Sequence, residues 1–346
     1  EGGYSTDPHN GLARIQEFKR VVQAYAHYDI RIIMDVVYNH VFSLSQHSFN
    51  KLVPGYYFRY NGEAPSSASG VGNDTASERI MFERYMVDST YFWATEYKLG
   101  GFRFDLMGLH TIDSMNAVMN KLKTYRDDII VYGEPWDMDG TAMSVRKDLA
   151  KHANLWKTPG VGGFNDQIRD AIKGDPSGRG KGWVQLGAPE LSEETVNKIK
   201  DGVMGKVTYG TTDPSQVVNY ISVHDNYAIF DKLQVAGSES GFDIARIKKQ
   251  SVQSEAISLL GQGIGFIHAG SELLRSKDFD YNSYQSSYEI NSIKWADKVK
   301  NLSIFENYQK LINLKRNSPA FQYTTRAEID RNVTLEYGRE LSYNDN

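Results

Sequence analysis

Arg103 and Asp105 stand two residues apart in Gly101-Phe102-Arg103-Phe104-Asp105. Phe102 and Phe104 alternate with Gly101, Arg103 and Asp105, which is the period of a strand with two unlike faces. Residues two apart on a strand point the same way, so guanidinium and carboxylate share a face. A carboxylate beside a guanidinium keeps a low pKa and stays ionised near neutral pH. At a strand end such a group is a candidate nucleophile or ion stabiliser. The plain alternative is an ion pair that only ties off the strand. Three further acids stand at strand ends. Asp35, with Asn39 and His40 after it, closes a β-branched run, Glu134 follows Ile130-Val131-Tyr132-Gly133, and Asp225 follows His224 after Val217–Val223. In parallel α/β architectures the carboxyl ends of the strands hold the site. Four acids at four such ends would meet on one rim, a placement that scattered surface carboxylates do not repeat.

The elements that must position these residues alternate along the chain. Leu12, Ile15, Phe18, Val21, Val22 and Tyr25 have helical spacing over about 11–28. Ile30–Val37 reads as a buried strand. A loop over about 41–73, rich in Ser, Gly and Asn, has a length that is usually either functional or disordered. Helices are predicted near 77–98, 111–124, from 166, near 243–260 and near 299–316. Strands are predicted at 101–105, 129–132, weakly at 162–164, at 217–223 and at 264–268. Repeated strand–helix alternation predicts an α/β fold, a parallel sheet with helices outside it. No short internal repeat or low-complexity tract interrupts it.

Composition narrows the function classes. The 346 residues carry a net charge of −4 with scattered basic residues, which gives no footprint for nucleic acid. No stretch approaches the ~20 apolar residues of a membrane span. The absence of Cys excludes disulfides and thiolate metal sites without choosing a compartment. Residue 1 is Glu and no signal peptide is present, so the N-terminus is expected to lie elsewhere. Twenty-two Tyr and five Trp offer flat faces suited to stacking on sugars, although most aromatics in a globular protein are simply core.

Asp35-Val36-Val37-Tyr38-Asn39-His40, Gly101–Asp105, Gly133-Glu134-Pro135-Trp136 and Val223-His224-Asp225-Asn226 resemble, in order, the four signature regions of the α-amylase family of glycoside hydrolases. Glu1–Pro8, Gly72-Asn73-Asp74, Tyr132–Trp136, Phe164-Asn165-Asp166, and His268-Ala269-Gly270 leading to Asn282-Ser283-Tyr284 are similar to type I pullulanases within it. The resemblance covers nearly the whole chain, and the pullulanase hallmark segment would precede Glu1. It implies Asp105 as nucleophile, Glu134 as general acid/base and Asp225 as the third acid, gripping sugar hydroxyls and favouring the transition state. Retaining glycoside cleavage asks for such a pair about 5 Å apart. Glu134 should have a raised pKa from the Asp105 charge and from burial, with Trp136 supplying apolar wall. Arg103 keeps Asp105 ionised, and His40 and His224 match donors to sugar hydroxyls. Asp35 and Asn39 look structural, bracing the rim.

Blander readings stand beside these. His40 and His224 could be core histidines. His110 and His268 read as packing residues. Asn282 and Tyr284 lie where pullulanases contact sugar, yet a loop Tyr is often only a lid. No cofactor is required. Ca²⁺ remains an option, as Asn39 binds it by resemblance in many amylases, although no calcium loop of alternating acids is present.

The expected protein is a retaining debranching hydrolase of α-1,6 linkages in pullulan, branched dextrins, glycogen or amylopectin. Another α-amylase-family enzyme (α-amylase, isoamylase or branching enzyme) is the alternative within the class, and a non-catalytic α-glucan-binding relative the alternative outside it. No nucleic-acid or membrane partner is expected. By resemblance the chain is a fragment of a (β/α)8 barrel of the TIM type, holding about strands three to eight as an open sheet of six. Residues 1–322 would be the barrel and 323–346 the start of a truncated C-terminal β domain. Six strands cannot close an eight-stranded barrel, and unpaired edges near residues 33 and 266 would favour aggregation and weak activity.

Overall fold

The computed structural model describes residues 5–138, 140–186, 190–238, 241 and 243–335. The chain divides into two compact units, Glu1–Gly163 and Phe164–Asn346, a division that falls inside the stretch expected to be one domain.

The first unit is built on parallel strands β1 (Ile33–Val36), β2 (Gly101–Phe104), β3 (Ile130–Gly133) and the first residues of β4 (Val161–Asn165). β2 pairs with both β1 and β3, and β3 pairs with β4. Register sets Asp35 level with Arg103 and Phe104 level with Gly133. Helices α1 (Gly11–Ala26), α2 (Ile80–Tyr97) and α3 (Ile112–Lys123) make the crossovers that parallel strands require. Asn10 caps α1 by accepting the N–H groups of Leu12 and Ala13, and Thr111 caps α3 through Ser114. The core joins Phe102 and Phe104 to Met86, Leu99, Met115, Val118 and Leu122, all fully buried. Gly101 fits because a Cβ there would stand 2.0 Å from the Ile130 carbonyl oxygen. The stripe predicted on α1 is mostly not core. Val22 is buried and Phe18 packs on the core, but Leu12, Ile15, Val21 and Tyr25 are exposed. The long loop holds a short helix, Ser48–Leu52, and a hairpin, Tyr60–Asn61 with Ala64–Pro65.

The second unit takes the end of β4 and strands β5 (Val217–Asn219) and β6 (Ile264–Gly265), which pair in parallel. Six parallel strands are therefore present among the described residues, the number expected. α4 (Asp166–Lys173), α5 (Glu193–Val203), α6 (Ile229–Gly237) and α7 (Ile244–Leu259) enclose Ile168, Ile172, Ile221, Leu233 and Ile247, while α8 (Leu302–Asn317) packs Ile304 and Tyr308 with Leu274. Asn165 caps α4 through the Ile168 N–H and donates to Asn219 Oδ1 at 3.0 Å, so the Phe164-Asn165-Asp166 motif is an architectural joint. β5 and β6 are shorter than predicted. Phe266 N–H still reaches the Asn219 carbonyl, but beyond it Tyr220 and Ile221 are buried outside the ladder. The stretch after residue 322 carries a short helix, α9 (Arg326–Asn332). Its N-terminus is closed by a capping box between Thr325 and Glu328, a local signal that outcompetes extended structure. Residues 336–346 of that stretch lie outside the described residues. No helix among the described residues is long and apolar enough to cross a membrane.

Candidate active site

The ladder of the first unit continues one residue past its strands. Asp105 N–H donates to the Val36 carbonyl at 3.0 Å and Glu134 N–H to the Phe104 carbonyl at 3.1 Å. Both acids thereby inherit the register of the sheet rather than the freedom of a loop. Between them lies Arg103, 6% exposed. Its Nη1 donates to Asp35 Oδ1 and to Asp105 Oδ1, each at 2.9 Å, and its Nη2 pairs with Glu134 Oε1 at 2.6 Å. Burial works against the guanidinium charge, but Glu134, Asp35 and Asp105 together raise its pKa far above the ordinary value. The planar fork of an arginine suits this task, because two nitrogens can address two carboxylates at once.

Asn39, fully buried, holds the other side of Asp105. Its Nδ2 donates to the Asp105 carbonyl at 2.7 Å and to Asp105 Oδ2 at 2.9 Å. Its Oδ1 faces His40 Nδ1 at 2.6 Å. An amide oxygen only accepts, so His40 carries a proton on Nδ1. Asn39, expected only to brace the rim, thus directly orients the carboxylate of Asp105. Asp35 is exposed at the carboxylate and bonded to Arg103.

Glu134 is held from two sides. Its carboxyl group is buried, as expected, but Arg103 holds one oxygen and the Leu106 N–H donates to the other, Oε2, at 2.9 Å. Both contacts favour the ionised form and oppose the rise expected from burial and the Asp105 charge. Trp136 is half-buried and its ring lies 5.8 Å from that of His152.

In the second unit, His224 and Asp225 adjoin, with His224 Nε2 3.6 Å from Asp225 Oδ2 and side chains 58% and 54% exposed. The His224 carbonyl accepts from the Nζ of buried Lys277 at 2.8 Å. His224 is therefore a surface group, not a core histidine. Asn282 is exposed, its N–H donating to Asp280 Oδ1 at 2.9 Å, and Tyr284 is 76% exposed. The packing reading holds for His110 and His268. His110 is fully buried against the edge of Phe104, and burial lowers its pKa to about 3. His268 sits between Ser222 and Arg275, with its pKa lowered to about 3 by burial and then by Arg275.

Two features escaped the sequence reading. The buried Arg59 donates Nε and Nη2 to Glu78 Oε2, at 3.0 and 2.9 Å, and Nη1 to the Leu109 carbonyl at 2.9 Å and to Thr141 Oγ1 at 3.0 Å. Asp74 accepts from Ser66 Oγ, Ala68 N–H, Ser69 N–H and Thr141 Oγ1. Burial works against its charge, yet these bonds lower its pKa. No spacing pattern announces partners 50 or 82 residues away. The motif Gly72-Asn73-Asp74 was the only visible signal, and Asn73 turns out to clasp the backbone of Val41 in both directions.

No family model matches the chain. A pullulanase of Bacillus subtilis is 35% identical over 335 residues, covering 96% of this chain and 46% of that protein. The chain belongs to the pullulanase family. Its backbone matches a crystal structure of the Paenibacillus barengoltzii pullulanase with maltohexaose and α-cyclodextrin, at a TM-score of 0.88 and 38% identity, over 96% of this chain and 51% of that one. A pullulanase from Anoxybacillus sp. LM18-11 complexed with maltotetraose matches at a TM-score of 0.90 and 37% identity, over 98% and 49%. The chain thus spans about half the length of the pullulanases it matches.

Proposed function

We propose that the chain is the catalytic part of a retaining pullulanase that hydrolyses α-1,6-glucosidic linkages in pullulan, branched dextrins, glycogen or amylopectin. The observation that carries this reading is the sharing of one buried guanidinium by Asp105 and Glu134 at the ends of adjacent strands. Two carboxyl groups on one fork fit the short separation, about 5 Å, of a retaining pair. Relatives and structures named as pullulanases, some holding maltooligosaccharides, support the substrate class.

In this mechanism Asp105 attacks the anomeric carbon while Glu134 gives its proton to the leaving glycosidic oxygen. The bond to that oxygen breaks, a glycosyl ester forms on Asp105, and Glu134 is left as a carboxylate that then activates water. Arg103 and Asn39 keep Asp105 aimed. Asp225 and His224 grip sugar hydroxyls and favour the distorted, cation-like transition state, and His40 contacts a sugar hydroxyl. Trp136, Asn282 and Tyr284 supply sugar contacts. The fold is an incomplete (β/α)8 barrel of about strands three to eight. No cofactor enters the chemistry. Ca²⁺ at Asn39 would have to take Oδ1 from His40.

The test compares reducing ends released from pullulan and from amylose. Preferential release from pullulan, as maltotriose, is expected, and the ratio decides at any absolute rate. Equal or faster cleavage of amylose would overturn the α-1,6 assignment.

A further inference from the structure

We propose that the backbone N–H of Leu106 is a positioning group for the acid, a donor aimed at the charge that develops on Glu134 when it gives up its proton. The inference rests on the reading of Glu134 as general acid/base. Leu106 has φ +39° and ψ +47°, the left-handed region. A bulky L-residue is strained there, so the conformation persists only where its surroundings impose it.

Those surroundings are visible. Asp105 is still tied to Val36 by the ladder, and one residue later the chain must leave the sheet. The left-handed step makes that turn and sends the Leu106 N–H to Glu134 Oε2 at 2.9 Å. The short helical turn Met107–Leu109 follows, with Met107 fully buried. Gly108 N–H then donates to the Glu134 carbonyl at 2.8 Å. A Cβ on Gly108 would lie 2.0 Å from the Trp136 carbonyl oxygen, so the turn is pressed against the whole Glu134–Trp136 segment. The residue following the nucleophile is thereby fixed to the acid by its main chain alone.

The consequence is electrostatic. Arg103 ion-pairs with Oε1 and the Leu106 N–H donates to Oε2, so both oxygens of Glu134 face positive charge before substrate arrives. When the proton passes to the leaving oxygen, negative charge appears on Glu134 and both contacts strengthen without moving. Such preorganised donors are a main source of transition-state stabilisation. They also explain how Glu134 can return as the base of the second half-reaction in an unchanged orientation.

Two substitutions separate this role from packing. Leu106→Asn tolerates the left-handed conformation, whereas the β-branched Leu106→Ile does not. Leu106→Asn should keep the wild-type kcat within about threefold, while Leu106→Ile should lose about 10- to 100-fold in kcat with little change in KM. Loss of a donor to the ionised form raises the pKa of an acid, so in Leu106→Ile the alkaline limb of the pH profile should move up by about half a unit. A ¹³C titration of the Glu134 carboxyl, assigned with Glu134→Gln, should show the same upward displacement whatever the turnover of the chain. A packing role alone would lower Tm and leave the limb and the titration in place. That result, or equal effects of Asn and Ile, would overturn the proposal. Wild-type turnover in Asp105→Asn and Glu134→Gln would instead overturn the reading of the acids on which it rests.

Discussion

The two units offer their acids in opposite ways. In the first, Asp105 and Glu134 are bound on both oxygens to fixed donors, and their shared arginine is almost wholly buried. In the second, His224 and Asp225 stand more than half exposed with one loose contact between them. Groups that make and break covalent bonds gain from preorganisation, because a small misplacement costs rate. Groups that follow a flexible sugar into a distorted ring gain from freedom to adjust. The comparison fits the proposed division, with chemistry on the first pair and grip on the second.

The largest effect should come from Asp105→Asn. The amide keeps shape and hydrogen bonds but cannot attack, so pullulan hydrolysis should fall at least about a thousandfold, with maltooligosaccharide binding by calorimetry largely kept. An Asn variant at near wild-type rate would remove the distinction between the rims. Next is Arg103→Ala, which leaves three carboxylates facing one another around a lost cation. It should cost about 3–5 kcal/mol in urea denaturation. A smaller loss would mean that the fork is not the keystone of the first rim.

A third effect concerns acid stability, and each unit contains a probe for it. His110 and His268 have folded pKa values lowered to about 3, against about 6.5 in an unfolded chain. Between these values the unfolded state binds more protons, so stability is complete above pH 6.5 and is lost as pH falls towards 3. Each group contributes up to about 1.4 kcal/mol per pH unit in that window. His110→Gln should flatten part of the fall of Tm between pH 7 and pH 5, whereas an unchanged slope would show that His110 is not the titrating group. The smallest effect should be that of Asp225→Asn on stability, within about 0.5 kcal/mol, as expected for an exposed side chain. Its sharp loss of turnover would then mark the second rim as functional without being structural.

Much of the site was legible because strand periodicity and the strand-end position are local. The alternation around Phe102 and Phe104 placed Arg103 and Asp105 on one face, and register did the rest. The pairing of Asn39 with Asp105, 66 residues apart, was not legible, because an amide in a rim motif says nothing of which carboxylate it will meet. Nor was the left-handed Leu106, since leucine carries no signal for that conformation. α1 shows the opposite failure, for its apolar stripe reads as core while four of its six members face outward. Thr325 and Glu328 spell a capping box, a local signal that marks the start of α9.

Arg59 has a practical consequence for engineering. Its guanidinium is bonded to the 57–78 region through Glu78, to the turn after β2 through the Leu109 carbonyl, and to the loop after β3 through Thr141. Three surface segments with separate sequence addresses are riveted together at one buried point. Exchanging any one of them with the matching stretch of a related enzyme would strand a desolvated cation unless its acceptors travel too. Such grafts should be cut as a set of three, or begin from a partner that already carries the same rivet.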